Sequence, residues 1–368
     1  MSQLFQPLRL GSLELANRII IAPMCQYSAV NGVATEWHTM HLGHLALSGA
    51  GLLITEATAV SPEGRISPSD LGLYSDETEM ALGQVLATIK KHSPIPVAVQ
   101  LAHSGRKAST RVPWEGGKQI GPTEPTGWKT EAPSPLPYLD EYDAPTALDQ
   151  AGLDRVTEAF IAATKRAARL GFDGIELQAA HGYLLHQFLS PLSNQRTDEY
   201  GGPLENRMRF PLQIFETVRA AFPAEKPVWI RVSATDWVEG GWNVGDTIAF
   251  ARALKPLGSA AIHVSSGGLS PKQKMTLAPG YQVPLAQRIK AETDLTTIAV
   301  GLITEPEHAE AIIANGDADA IGLARAILYD PRWPWHAAAK LGAKVIAPEQ
   351  YWRSQARNHP DLFITESA

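Results

Sequence analysis

The stretch Gly174–Leu184, GIELQAAHGYL, carries the first decision about this chain. Ile175, Glu176 and Leu177 read as the end of a short buried strand. Gln178, His181 and Tyr183, three side chains able to polarise an oxygen or deliver a proton, follow directly. Gly182 stands between them, where a tight turn leaves no room for a Cβ. Polar side chains crowded at the C-terminal end of an apolar strand are expected at the mouth of a barrel rather than on its wall. A lone histidine and tyrosine could also serve an ordinary loop by satisfying backbone groups. The deciding question is whether the rest of the chain builds a barrel around them.

Outward from this stretch, apolar β-rich runs alternate with helical patterns. The runs are Arg18–Ala22, Gly51–Glu56, Pro96–Leu101, Asp173–Leu177, Val228–Val232, Ala260–Val264, Thr297–Val300 and Ala318–Gly322. Their near-continuous hydrophobicity is that of parallel strands covered on both faces. Between them, Leu153, Val156, Phe160, Ala163, Ala167 and Leu170 form one apolar helical stripe. Thr304-Glu305-Pro306-Glu307 matches a capping box opening a helix to about Ala314. The pattern predicts an α/β fold, a (β/α)8 TIM barrel spanning residues 1–368 as one domain. A doubly wound open sheet is the competitor, but no G-x-G-x-x-G follows the first strand. Residues 4–15 predict an N-terminal β-hairpin turning at Gly11-Ser12. A long insertion after strand three, about 108–147, holds seven prolines and is expected to act as a lid. A C-terminal tail of about 348–368 remains.

Hydrophobic residues make up 44% of the chain and charged residues 19%, which suits a large core. A net charge of −6 argues against a nucleic-acid partner, because phosphate binding needs clustered Lys and Arg. No basic segment followed by an apolar one opens the chain, and no apolar run is long enough for a bilayer; a cytoplasmic protein with no membrane partner is expected. A single cysteine excludes an intrachain disulfide. His38, His41 and His44 fall on a helix at a spacing that is not H-E-x-x-H, so packing and capping are expected there and no metal.

If the barrel closes, the residues after each strand share one face. Gly301 after strand seven and Arg325 after strand eight occupy the usual barrel phosphate position. Arg231 at the end of strand five could stabilise a ring that becomes anionic on reduction. Gln100 offers a donor and an acceptor to a pyrimidine-like edge. Each of these residues has an ordinary structural use, and their convergence is the argument.

The motifs APMCQYSA, EATAV, VQLAHSGRKAS, HGYLLHQFLSPLSNQRTDEYGG, NRMRF, RVSATDW, VSSGG and ARAILYDPRWP, in that order, resemble the old yellow enzymes. The pairing of Cys25 with Tyr27 resembles their thermophilic-like branch. The resemblance implies non-covalent FMN, NADPH or NADH as reductant, and ping-pong reduction of the activated C=C bond of enone-type small molecules. It implies that Pro23, Met24, Cys25, Ala57, Gln100 and Arg231 hold the flavin ring, and that Gly301, Ala324 and Arg325 hold its phosphate. Gln178 and His181 would bind the substrate carbonyl oxygen, Tyr183 would protonate the α-carbon, and Tyr27 would line the pocket. Tyr351 and Arg353 would reach a neighbouring subunit's pocket in a homodimer or homotetramer. Gln178 departs from the family's usual His; it still donates a hydrogen bond but cannot become cationic. The rivals are a flavin-independent barrel lyase or isomerase acting on a phosphorylated substrate, and a non-catalytic flavin redox sensor using Cys25.

Overall fold

Eight short apolar segments find one another because each is buried on both faces and must satisfy its backbone on both edges. In the computed structural model, which describes residues 1–365, they are β1 (Ile19–Ile21), β2 (Leu52–Ala59), β3 (Val97–Ala102), β4 (Gly174–Ala179), β5 (Val228–Ser233), β6 (Ile262–Ser265), β7 (Thr297–Ala299) and β8 (Ala320–Leu323). They pair in parallel in sequence order, and β8 returns to β1 through Ile321↔Ile19, Gly322↔Ile20 and Leu323↔Ile21. The ring is closed, which removes the open-sheet alternative. The principal helices are α1 (Glu36–Ala46), α2 (Asp76–His92), α3 (Gln150–Leu170), α4 (Leu204–Ala221), α5 (Val244–Leu254), α6 (Val283–Thr293), α7 (Pro306–Ala314) and α8 (Trp333–Leu341).

Helix α3 shows how local chemistry fixes an element. Asp149 caps it by accepting from Gly152 N at 2.8 Å, and Gly171 ends it in the left-handed region. The expected stripe faces inward: Leu153, Val156, Phe160, Ala163 and Ala167 are buried, while Leu170 in the last turn is only half-buried. The capping box expected at Thr304 is not formed. Helix α7 has Glu305 as its N-cap without a side-chain cap bond, and Pro306 opens it. Thr304 lies one residue outside, its carbonyl accepting from Trp333 Nε1 at 2.6 Å. On α1, His38 accepts from Thr35 N at 3.0 Å and lies 3.3 Å from the buried Glu56, while His41 stacks on Trp37. Both histidines serve capping and packing.

The N-terminal hairpin, Leu8–Leu10 against Leu13–Leu15, turns at Gly11-Ser12 as expected. Leu10 and Leu15 join Ile20, Leu52, Ile54, Ala98, Trp229 and Ile298 in one apolar cluster, so the hairpin plugs the N-terminal end of the barrel. Each fully buried leucine contributes about 1.5–3 kcal/mol.

The insertion is ordered by side chains rather than by secondary structure. It contains a turn of 3-10 helix (Pro113–Glu115) and two short paired segments, Glu131–Ala132 and Thr146–Ala147. Arg106, just past β3, donates to the carbonyls of Leu136 and Pro137 at 3.3 Å and of Leu269 at 2.9 Å. It thereby ties the insertion to the loop after β6, over the mouth. The tail goes the other way. Val345–Ile346 pairs with Phe363–Ile364, and Ile346–Glu349 borders a cavity with Gly49–Gly51 and Ser93–Pro96, which precede β2 and β3. The last three residues of the expected tail lie outside the described residues. Among the described residues no helix is long and apolar enough to cross a membrane.

Candidate active site

The C-terminal ends of the strands bring the expected residues together through register. Gln178 on β4 lies opposite Arg231 on β5, and Gln100 on β3 opposite Glu176 on β4. After β4 the chain makes a turn that few residues adopt: His181 has φ 58° and Gly182 φ 77°. A Cβ at Gly182 would collide with the Gly268 carbonyl, which accounts for the glycine. Side chains pin almost every backbone group of this turn. Ser233 Oγ accepts from His181 N at 2.9 Å, His186 Nδ1 from Gly182 N at 2.9 Å, and Lys107 Nζ donates to His181 O at 2.8 Å. His186 is itself anchored by buried Asp236 at 2.8 Å. The positive φ costs of order 1 kcal/mol and persists because these contacts over-determine it.

Gln178 accepts from Ala180 N at 3.1 Å, so its NH2 group faces the mouth, 3.5 Å from both Gln100 Oε1 and His181 Nδ1. His181 Nε2 lies 2.7 Å from Ser265 Oγ; with the Ser265 hydroxyl donating to it, the ring keeps its proton on Nδ1, beside the Gln178 NH2 group. Burial, reinforced by the nearby Arg231 and Lys107 charges, pushes the His181 pKa well below the usual histidine value. The polarising pair is therefore neutral at neutral pH. Tyr183 is held far above the ordinary tyrosine range by burial and by its anionic-capable neighbours, which keeps its proton on. Tyr183 and Tyr27 line a cavity of about 320 Å³ together with Lys107, Tyr138 and Tyr142. Lys107 Nζ sits 5.3 Å from the Tyr183 ring and 4.7 Å from the Tyr138 ring, and burial with Arg106 beside it pushes its pKa down to about 8. A larger cavity of about 510 Å³ lies at the opposite end of the barrel, away from this chemistry.

Arg231 decides whether an electron-rich ring fits here. It is 7% exposed, has no carboxylate at ion-pair distance among the described residues, and its Nε has no hydrogen-bond partner. A buried unpaired cation is costly unless the site takes something electron-rich. Pro23, Met24 and Cys25 are half-buried after β1, Cys25 within electrostatic reach of Arg231, and Ala57 sits at a bulge in β2 next to Gln100. Burial, then Asp70 and Glu56, raise the Cys25 thiol, so it is a thiol and no nucleophile. On the phosphate side, Gly301 has φ 122° and a Cβ there would press on Gln282 at 2.9 Å. β7 and β8 are paired neighbours, and Gly301 and Ala324–Arg325 lie just past their C-terminal ends; Arg325 is exposed and unpaired among the described residues. The residues present fit a ring-plus-phosphate cofactor.

Tyr351 and Arg353 are not brought to this mouth. They lie in a short 3-10 segment, Glu349–Ser354, where Tyr351 packs on Trp335 and under the Arg332 guanidinium at 5.2 Å. The sequence reading gave no role to Lys107 or Tyr138. Lys107 lies within the VQLAHSGRKAS motif, where nothing local marks it out, and Tyr138 carries no signal because only the folded insertion brings it inward. Gln100 also differs from expectation: its Nε2 donates to Glu176 at 2.7 Å, so it offers the mouth an acceptor alone.

Comparison with known proteins identifies the family. Residues 3–343 match the model of the NADH:flavin oxidoreductase / NADH oxidase family. The chain is 40% identical to an NADPH dehydrogenase of Geobacillus thermodenitrificans, covering 95% of this chain and 98% of that protein. It is 42% identical to an NADPH dehydrogenase of Listeria innocua, covering 96% and 99%. Among solved structures it is similar to morphinone reductase, with a TM-score of 0.76 and 28% identity over 99% of this chain and 96% of that one. The chain belongs to the NADH:flavin oxidoreductase / NADH oxidase family, the old yellow enzymes. It is an oxidoreductase that uses a flavin and a nicotinamide reductant.

Proposed function

We propose that this enzyme reduces the activated C=C bond of α,β-unsaturated carbonyl compounds, by a ping-pong route on non-covalently held FMN. The cofactor supplies hydride transfer, from NADPH or NADH and on to the β-carbon. The chain does the rest. Arg231, Gln100, Pro23, Met24, Cys25 and Ala57 hold the ring, and Gly301, Ala324 and Arg325 its phosphate. The Gln178 NH2 group and His181 bind the carbonyl oxygen as neutral groups, drawing electron density from the β-carbon. Tyr183 delivers a proton to the α-carbon, and Lys107 beside it stabilises the tyrosinate left behind. Tyr27 walls the pocket, and the insertion, with Tyr138 and Tyr142, screens it from water. The observations carrying this reading are a cavity lined by Tyr183, its proton retained, and a Gln178 amide held with its NH2 group free of the backbone.

Tyr351 and Arg353 complete the pocket of a second copy in a homodimer or homotetramer. The position of their segment, at the far end of their own barrel, supports a partner as its destination. Exposed Trp37, Met40, Leu328, Tyr329, Tyr351 and Trp352 supply apolar surface for such an interface. The test is an anaerobic titration: NADPH should bleach the flavin, and 2-cyclohexenone should restore its colour stoichiometrically. Bleaching without reoxidation by the enone would overturn the substrate class. A monomer on sizing with full activity would overturn the shared site.

A further inference from the structure

The barrel interior below the mouth contains a carboxylate to which the proposed reaction assigns no role. Glu176 on β4 is fully buried, and three donors from three other strands converge on it. Gln100 Nε2 from β3, Trp229 Nε1 from β5 and His263 Nδ1 from β6 each lie 2.7 Å from one of its oxygens. A carboxylate only accepts and an indole only donates, so the polarity of the cluster follows from chemistry. Burial pushes the Glu176 carboxyl up, but His263, Arg231 and Trp229 outweigh it and hold the group below the usual carboxylate range. The charge therefore persists inside the barrel, near Arg231 but not in an ion pair with it.

We propose that Glu176 is a positioning residue that locks the Gln100 amide, so that only Gln100 Oε1 faces the cofactor. A glutamine at a barrel mouth has two amide orientations of similar energy. Here the flipped one would set Oε1 against an anion and lose a charge-assisted hydrogen bond. The locked orientation makes residue 100 an acceptor. The pyrimidine edge of an isoalloxazine has one donor, N3–H, between two carbonyls, so Gln100 takes N3–H. This rests on the proposed placement of the flavin ring against Gln100. The Glu176 charge also offsets Arg231, and so lowers the potential of whatever ring Arg231 faces.

The test uses full-length protein stripped and reconstituted with 15N-labelled FMN. Glu176→Gln keeps the shape, frees the amide and removes the charge. The hydrogen-bonded N3–H resonance should move toward its free position, and the midpoint potential should shift positive. A purely packing role would leave both where they are in the wild type, and that result overturns the proposal. The double variant Gln100→Glu/Glu176→Gln reverses the pair while keeping an acceptor toward the mouth, so it should recover the N3–H signature. Wild-type apoprotein should also bind 3-methyl-FMN roughly tenfold more weakly than FMN, the cost of one hydrogen bond. Equal binding overturns the proposal even if both variants fail to fold. Failure of the underlying placement looks different: Gln100→Leu would then leave FMN affinity unchanged and the wild type would show no N3–H hydrogen bond.

Discussion

The barrel interior has two layers that differ in kind. The lower one, toward the hairpin, is an apolar cluster of Leu10, Leu15, Ile20, Leu52, Ile54, Ala98 and Ile298. The upper one holds Gln100, Glu176, Gln178, Arg231 and His263, each at most 7% exposed, in a network with orphan atoms on Arg231 and His263. Trp229 joins them, its indole packed in the lower cluster and its Nε1 bonded to Glu176. The lower layer stabilises the fold through area removed from water. The upper layer costs desolvation that the Glu176 network offsets in part and a bound, electron-rich partner offsets further. Stability and function are thus stacked along one axis, and substitutions should separate them.

The largest separation is expected at Tyr183. Tyr183→Phe should slow reoxidation by an enone by roughly 10²–10⁴-fold while leaving reduction by NADPH and the melting temperature nearly unchanged. Stopped-flow measurement of the two half-reactions checks this, and equal slowing would mean that Tyr183 positions the cofactor. In the lower layer, Leu15→Ala should destabilise the protein by about 2–5 kcal/mol in urea unfolding. The flavin potential should not move; if it does, the two layers are not independent. Arg231→Ala should weaken FMN binding by roughly ten- to a hundredfold, the value of a hydrogen bond to a charged group. It should also shift the potential negative, and redox titration beside fluorescence binding reads both.

The smallest effect is a pH slope. Lys107 has a folded pKa of about 8 against the ordinary 10.5. Between those values the unfolded chain holds more protons than the folded one, so this group makes stability rise with pH across that window. Below pH 8 both states carry the charge and the penalty is constant. Lys107→Met should flatten the slope between pH 8 and 10, measured by denaturant midpoint at each pH. The upper layer would then owe part of its cost to Lys107 rather than to Arg231 alone.

Much of the fold was legible in the chain because burial on both faces leaves its mark in local composition. Eight apolar runs, the α3 stripe and the Gly11-Ser12 turn each report their own environment, and the closed barrel follows from their order. The family motifs likewise placed Gln178, His181, Tyr183, Arg231 and Gly301 at the mouth, because strand ends are short-range features. The capping box at Thr304 misled, since a distant Trp333 took its carbonyl and the helix began one residue later. What only the tertiary structure decided are the long-range polar contacts: Glu176 turning Gln100, Ser265 facing His181, Lys107 under Tyr138. None of these has a local signature. Hydrogen-bond direction inside a barrel is set by which strands become neighbours, and the chain acquires that information only when the ring closes.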